Sequence, residues 1–150
     1  MIVLDANVLL YAYDSSSPAH ERCRHWLTEA FNGGEQIGLP WQTLLAFVRI
    51  ATNPRAFRVP LSGERACVIV SQWLTLPQVV VVAPGESFWS IFVEQVKRAQ
   101  VLGPLVTDAA LAALAIESGA TLCSTDRDFL RFEGLKLVDP TRGLRQRRSK

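Results

Sequence analysis

Four aspartates stand where the chain is predicted to leave a strand or enter a helix. Asp5 follows Ile2-Val3-Leu4, Asp108 sits in Thr107-Asp108-Ala109, and Asp126 and Asp128 follow Thr121-Leu122-Cys123-Ser124. In an open α/β sheet the carboxyl ends of parallel strands share one crevice, so residues distant in sequence can meet there. Adjacent strands lie only ~4.8 Å apart. Carboxylates brought that close repel one another unless a cation or a proton intervenes. Mg²⁺ or Mn²⁺ suits such a set, because hard divalent ions take oxygen ligands and retain waters. A water activated in this way attacks phosphodiesters. A second reading of the same residues stands beside the first. Asp108 and Asp126 are natural helix caps, and Asp128 suits the first turn of its own helix.

The elements that must position these side chains follow from local pattern. Ile2-Val3-Leu4 is a short strand, and Ala6–Tyr13 a short helix. Ser17 and Pro18 supply a cap and a first helical residue for a helix with Cys23, Trp26, Leu27 and Ala30 on one face. A strand over 36–39 precedes a helix over 41–51 with Leu44, Leu45, Phe47 and Val48 inside; Thr52-Asn53-Pro54 stops it. Ser62 caps a further helix, and Val79–Val82 has the composition of a strand buried on both faces. A helix carrying Phe88, Trp89, Phe92, Val93 and Val96 comes next. Thr107 or Asp108 then opens an alanine-rich helix that Gly119 ends, followed by the strand 121–124, a short helix over 126–132 and a strand over 135–138. Helices alternating with short strands, without tight hairpin signals, predict an α/β fold with a mainly parallel sheet.

Composition supports one globular domain over 1–141. Of 150 residues, 49% are hydrophobic and 20% charged. No apolar run is long enough to span a bilayer, and the N-terminus has no basic leader, which together predict no membrane and a cytoplasmic protein. Cys23, Cys67 and Cys123 form neither a disulfide framework nor a zinc pattern, and His20 and His25 are expected at the surface. The formal charge of +2 conceals a basic C-terminal tail over 142–150, expected to be flexible, with Arg142, Arg145, Arg147, Arg148 and Lys150. There is no P-loop, no GxGxxG and no serine or cysteine nucleophile elbow.

Beyond spacing, three stretches resemble the PIN-domain ribonucleases, and more narrowly the VapC toxins of VapBC toxin–antitoxin modules. They are Ile2-Val3-Leu4-Asp5-Ala6-Asn7-Val8-Leu9-Leu10, Thr107-Asp108-Ala109 through Ala120, and Ser124-Thr125-Asp126-Arg127-Asp128-Phe129. The segment Phe47–Arg55 is similar to one branch of that family. The resemblance implies a PIN-like three-layer α/β/α fold and toxic Mg²⁺-dependent cleavage of RNA, with Mn²⁺ as a substitute. It implies metal ligation by Asp5, Asp108 and Asp126 with Asp128 adjacent, supported by Asn7 and Thr125. It also implies a cognate VapB-type antitoxin and a homodimer. Many family members carry a glutamate where this chain has Ala46, with only the neutral Gln42 nearby.

Arg49, Arg55 and Arg58 are candidate phosphate contacts, and Arg127 and Arg131 flank the acidic motif, where they could meet RNA or Asp128. Trp41 and Phe57 are aromatic candidates for stacking on a base, with Trp41 expected in the core. Two other classes compete with a nuclease. A weakly active PIN-like binding protein would account for Ala46. A haloacid-dehalogenase-type phosphatase also begins strand-Asp-x-Asp, but Asn7 here replaces its general acid.

Overall fold

The apolar run that ends at Asp5 becomes β1 (Ile2–Leu4), the central strand of a five-stranded sheet. The computed structural model of the chain describes residues 1–142. Of the basic tail, Arg142 falls in a 3-10 helix, Pro140–Arg142, while Arg145, Arg147, Arg148 and Lys150 lie outside the described residues.

The remaining strands are β2 (Ile37–Pro40), β3 (Val79–Val82), β4 (Thr121–Cys123) and β5 (Lys136–Val138). Their order is β3-β2-β1-β4-β5, and every pairing is parallel. The register sets Ile2 beside Ile37 on one flank and Leu4 beside Cys123 on the other. Successive strand side chains face opposite ways. Leu4 and Cys123 therefore enter one core while Val3 and Leu122 enter the other.

The first core lies under α1 (Ala6–Tyr13), α2 (His20–Asn32), α3 (Trp41–Ala51) and α4 (Gly63–Leu74); the second lies under α5 (Phe88–Arg98) and α6 (Leu105–Glu117). This is the three-layer α/β/α arrangement. Alanine is the best helix former, and Ala109, Ala112, Ala113 and Ala115 on α6 are all buried, so small side chains bring that helix close to the sheet. At Gly38 of β2 a Cβ would stand 2.6 Å from a Val82 methyl and 3.0 Å from a Val3 methyl, so the side chains of the two flanking strands leave room there only for glycine.

Several expectations are corrected. Helix α2 starts at His20, because Ser17 caps a tight turn first: its hydroxyl accepts from the Ala19 amide at 3.2 Å and its carbonyl from the His20 amide at 3.1 Å. His20 is not a free surface residue; its Nδ1 lies 2.9 Å from the Tyr11 carbonyl. The four valines of β3 form an edge strand that is only partly buried: Val79 packs on one core, Val80 and Val82 on the other, and Val81 is exposed. On α3, Leu44 and Phe47 are buried but Leu45 is exposed, one step round from the buried row. Helix α6 opens at Leu105, ahead of Thr107 and Asp108, and the element after β4 is a five-residue 3-10 helix, Arg127–Arg131. Ser62 does cap α4, accepting from the Arg65 amide at 3.0 Å, and Gly119 ends α6 with φ +63°.

Candidate metal centre

The site grows from the pairing of β1 with β4. The Asp5 amide donates to the Cys123 carbonyl at 3.0 Å, so the chain leaves both strands at one level, and Asp5 and Ser124 emerge side by side. Ser124, buried to 1% exposure, is the node of the site. Its hydroxyl donates to Asp5 Oδ2 at 2.7 Å and accepts from Asn7 Nδ2 at 3.2 Å and from the Asp126 amide at 3.0 Å. Asn7 Oδ1 in turn accepts from the Thr125 amide at 3.5 Å. Asn7 and Thr125 thus meet at the site, Thr125 through its backbone.

Asp126 both caps and joins the acidic cluster. Its Oδ1 accepts from the Asp128 amide at 2.8 Å, ahead of the 3-10 helix. Asp108 does not cap α6: Pro104 holds the cap position, and Asp108 lies in the first turn with its carboxylate turned toward the other acids. Carboxylate oxygens of Asp108, Asp126 and Asp128 all lie within 4.8 Å of one another. Asp5 stands beside this trio, tied to Ser124 and close enough to raise the pKa of Asp108. Arg131 Nη2 pairs with Asp128 Oδ1 at 3.2 Å, which settles that arginine's immediate partner.

The electrostatics follow from crowding. Burial first, then the charges of Asp5, Asp126 and Asp128, push Asp108 up to about 6, with Arg131 opposing. Burial also raises Asp5, against the Ser124 hydrogen bond and nearby backbone amides that favour its charged form. Half-buried carboxylates that resist ionising together form a cavity for positive charge. The donor set, carboxylate oxygens with hydroxyl and amide support and no sulfur or imidazole, fits a hard divalent ion.

Around this centre, Gln42 at the start of α3 donates its side-chain amide to the Thr107 carbonyl at 3.2 Å, closing α3 onto the first turn of α6. Ala46 lies one turn further along α3 and is half-buried. Arg49, Arg55 and Arg58 are exposed on the end of α3 and the loop after it. The two aromatic expectations are reversed. Trp41 is 54% exposed, because it occupies the first position of α3 beyond the packed row, whereas Phe57 is 5% exposed and belongs to the core.

Sequence reasoning missed Ser124. The available signal was the short Ser124-Thr125-Asp126 spacing, in which a hydroxyl two residues ahead of an amide closes a serine turn.

Comparison with known proteins gives three results. The family model of the PIN domain matches residues 2–135. Ribonuclease VapC37 of Mycobacterium tuberculosis is 41% identical over 140 residues, covering 93% of this chain and 97% of that protein. Ribonuclease VapC33 of the same species is 38% identical over 142 residues, covering 95% and 99%. Among solved structures, VapBC-1 from nontypeable Haemophilus influenzae superposes with a TM-score of 0.66 at 18% identity, covering 94% of this chain and 99% of that one. VapBC2 from Rickettsia felis, bound to a promoter DNA fragment, gives 0.64 at 16% identity, covering 93% and 98%. At those identities the superpositions establish the fold.

Proposed function

Because the chain belongs to the PIN-domain family, alongside the VapC ribonucleases, we propose that it is a toxic Mg²⁺-dependent endoribonuclease of a toxin–antitoxin module. It hydrolyses RNA phosphodiesters and is restrained by a cognate VapB-type antitoxin. The observation that carries this reading is the convergence of Asp108, Asp126 and Asp128 within 4.8 Å, with Asp5 beside them. Asp5, Asp108 and Asp126 hold the ion, with Asp128 completing the acidic wall and Mn²⁺ an alternative occupant. A divalent cation bound there supplies an activated water and offsets phosphate charge.

The chain's own residues do the rest. Ser124 fixes the direction of the Asp5 carboxylate, Asn7 (held by the Thr125 amide) donates to Ser124, and Asp126 braces the turn that presents Asp128. Arg49, Arg55 and Arg58 offer exposed guanidinium groups to RNA phosphates near the end of α3. The protein acts in the cytoplasm as a homodimer. Among the described residues no helix is long and apolar enough to cross a membrane.

The decisive experiment incubates purified protein and total RNA with Mg²⁺ or Mn²⁺. Cleavage that stops with EDTA and is lost in Asp5→Ala and Asp108→Asn is the expected result; unchanged cleavage in both variants removes the assignment. A second reading, a weakly active PIN-like protein acting through antitoxin or RNA binding, rests on Ala46 in α3. Growth arrest on expression alone, abolished by Asp5→Ala, eliminates it.

A further inference from the structure

A groove of about 1200 Å³ borders the acidic centre and shares Ser124, Thr125 and Asp126 with it. It lies between α2 and the segments that follow β4 and end β5, on the side of β1 away from β2 and α3. Arg49, Arg55 and Arg58 take no part in its lining. Three other arginines do, each from a different element: Arg22 from α2, Arg127 from the 3-10 helix after β4, and Arg142 from the last described turn. Trp26 and Leu130 add apolar surface to the lining. We propose that this groove holds the single-stranded RNA flanking the scissile phosphate, with Arg22, Arg127 and Arg142 on its phosphates and Trp26 against a base. The inference rests on the nuclease reading and names the substrate track of that site.

The groove is roomier than the ~300–1,000 Å³ typical of small-molecule sites. Outside the metal centre its wall carries three arginines against two carboxylates, Asp139 and Glu29. Asp139 is engaged locally, and Glu29 stands beside a histidine. Asp139 pairs with Arg142 at 3.2 Å and accepts from the Thr141 amide and hydroxyl at 2.8 and 2.6 Å, and Glu29 lies 3.4 Å from His25. Arg127 has no carboxylate within ion-pair distance among the described residues, although it neighbours the acidic centre in sequence. Arg22 donates to the Thr141 carbonyl, which fixes its guanidinium at the groove wall while other N–H donors of the five remain to it. Trp26 packs partly buried against the core and shows its remaining surface to the groove; aromatic rings beside cationic side chains grip single strands without base pairing.

The test uses the full chain carrying Asp108→Asn, to prevent cleavage, and a fluorescent 12-nucleotide single-stranded RNA in Mg²⁺. Arg127→Glu is compared with Arg65→Glu, which makes the same charge change on α4 near the opposite sheet edge. Arg127→Glu is expected to weaken binding about tenfold relative to Arg65→Glu, and Arg127→Ala to reduce the salt slope by about 0.7. In the otherwise wild-type enzyme, Arg127→Glu raises KM with kcat retained, and Arg22→Lys binds more tightly than Arg22→Ala. Equal affinities for Arg127→Glu and Arg65→Glu overturn the groove assignment, as does an effect confined to binding of a protein partner. Absence of metal-dependent cleavage by the wild-type protein instead overturns the nuclease reading, whatever the RNA affinities.

Discussion

The Ser124 hydroxyl donates to Asp5 Oδ2 at 2.7 Å, joining two residues 119 positions apart through the single buried hydroxyl at the heart of the acidic centre. The same oxygen accepts from Asn7 and from the Asp126 amide, so one serine fixes the side chain of one acid and the backbone of another.

Ser124→Ala removes that oxygen and leaves the Asn7 amide and the Asp126 N–H short of an acceptor. Loss of such outer support lowers metal affinity by about 10–100-fold, and the unsatisfied groups cost about 1–3 kcal/mol of stability. Calorimetric titration with Mn²⁺ together with urea unfolding measures both. Retained affinity would show that Asp5 orients itself without Ser124.

The pH dependence of the metal-free protein follows from Asp108. Its folded pKa, about 6, lies above its ordinary value of 3.8, so the folded state binds more protons than the unfolded state in that interval. The associated stability is fully present below about pH 4 and is lost as pH rises through 6. Melting in EDTA from pH 4 to pH 8 should show this decline against the rest of the titration, and Asp108→Asn should flatten it. A wild-type curve identical to that of the variant contradicts the placement of Asp108.

Addition of metal reverses the effect. A cation binding only the folded state stabilises it by about 2.7 kcal/mol at a hundredfold excess over Kd, on the order of 5–10 °C for a chain of this size. Differential scanning fluorimetry with Mg²⁺ or Mn²⁺ at neutral pH reads the shift directly. Asp126→Asn should abolish most of it, because Asp126 belongs to the trio and also orders the turn carrying Asp128.

Two aromatic substitutions separate core from surface. Phe57→Ala empties a buried position in the core under α1–α4 and should cost about 3–5 kcal/mol. Trp41→Ala, at an exposed position, should cost about 1 kcal/mol or less. Chemical denaturation of both variants ranks them, and a reversed order would refute the packing described for α3 and its following loop.

The aspartates were legible in the sequence because strand ends and helix starts are marked by local chemistry. Alternation of strands with helices likewise identified an α/β fold with a mainly parallel sheet, and the family resemblance its three layers. What local pattern could not show was which surface each element meets. Val79–Val82 reads the same at an edge as in the middle of a sheet, and Trp41, three residues before the buried Leu44, is exposed because it stands at the start of α3. Ser124 carries no charge and belongs to no periodic face; its importance arises only when β4 lies beside β1. Gly38, too, is an unremarked residue until Val3 and Val82 close on it from neighbouring strands.

The strand order β3-β2-β1-β4-β5 has a consequence for the protein's synthesis. The first strand made is the central one, yet its neighbour β4 and the acids at 126 and 128 arrive more than a hundred residues later. At about 5–20 residues per second, the growing polypeptide carries Asp5 for on the order of ten seconds before a complete acidic centre can exist. A prematurely terminated product ending before residue 126 has half a centre and no groove. On the proposed reading of the acids, the topology withholds the metal centre until residue 128 has been made.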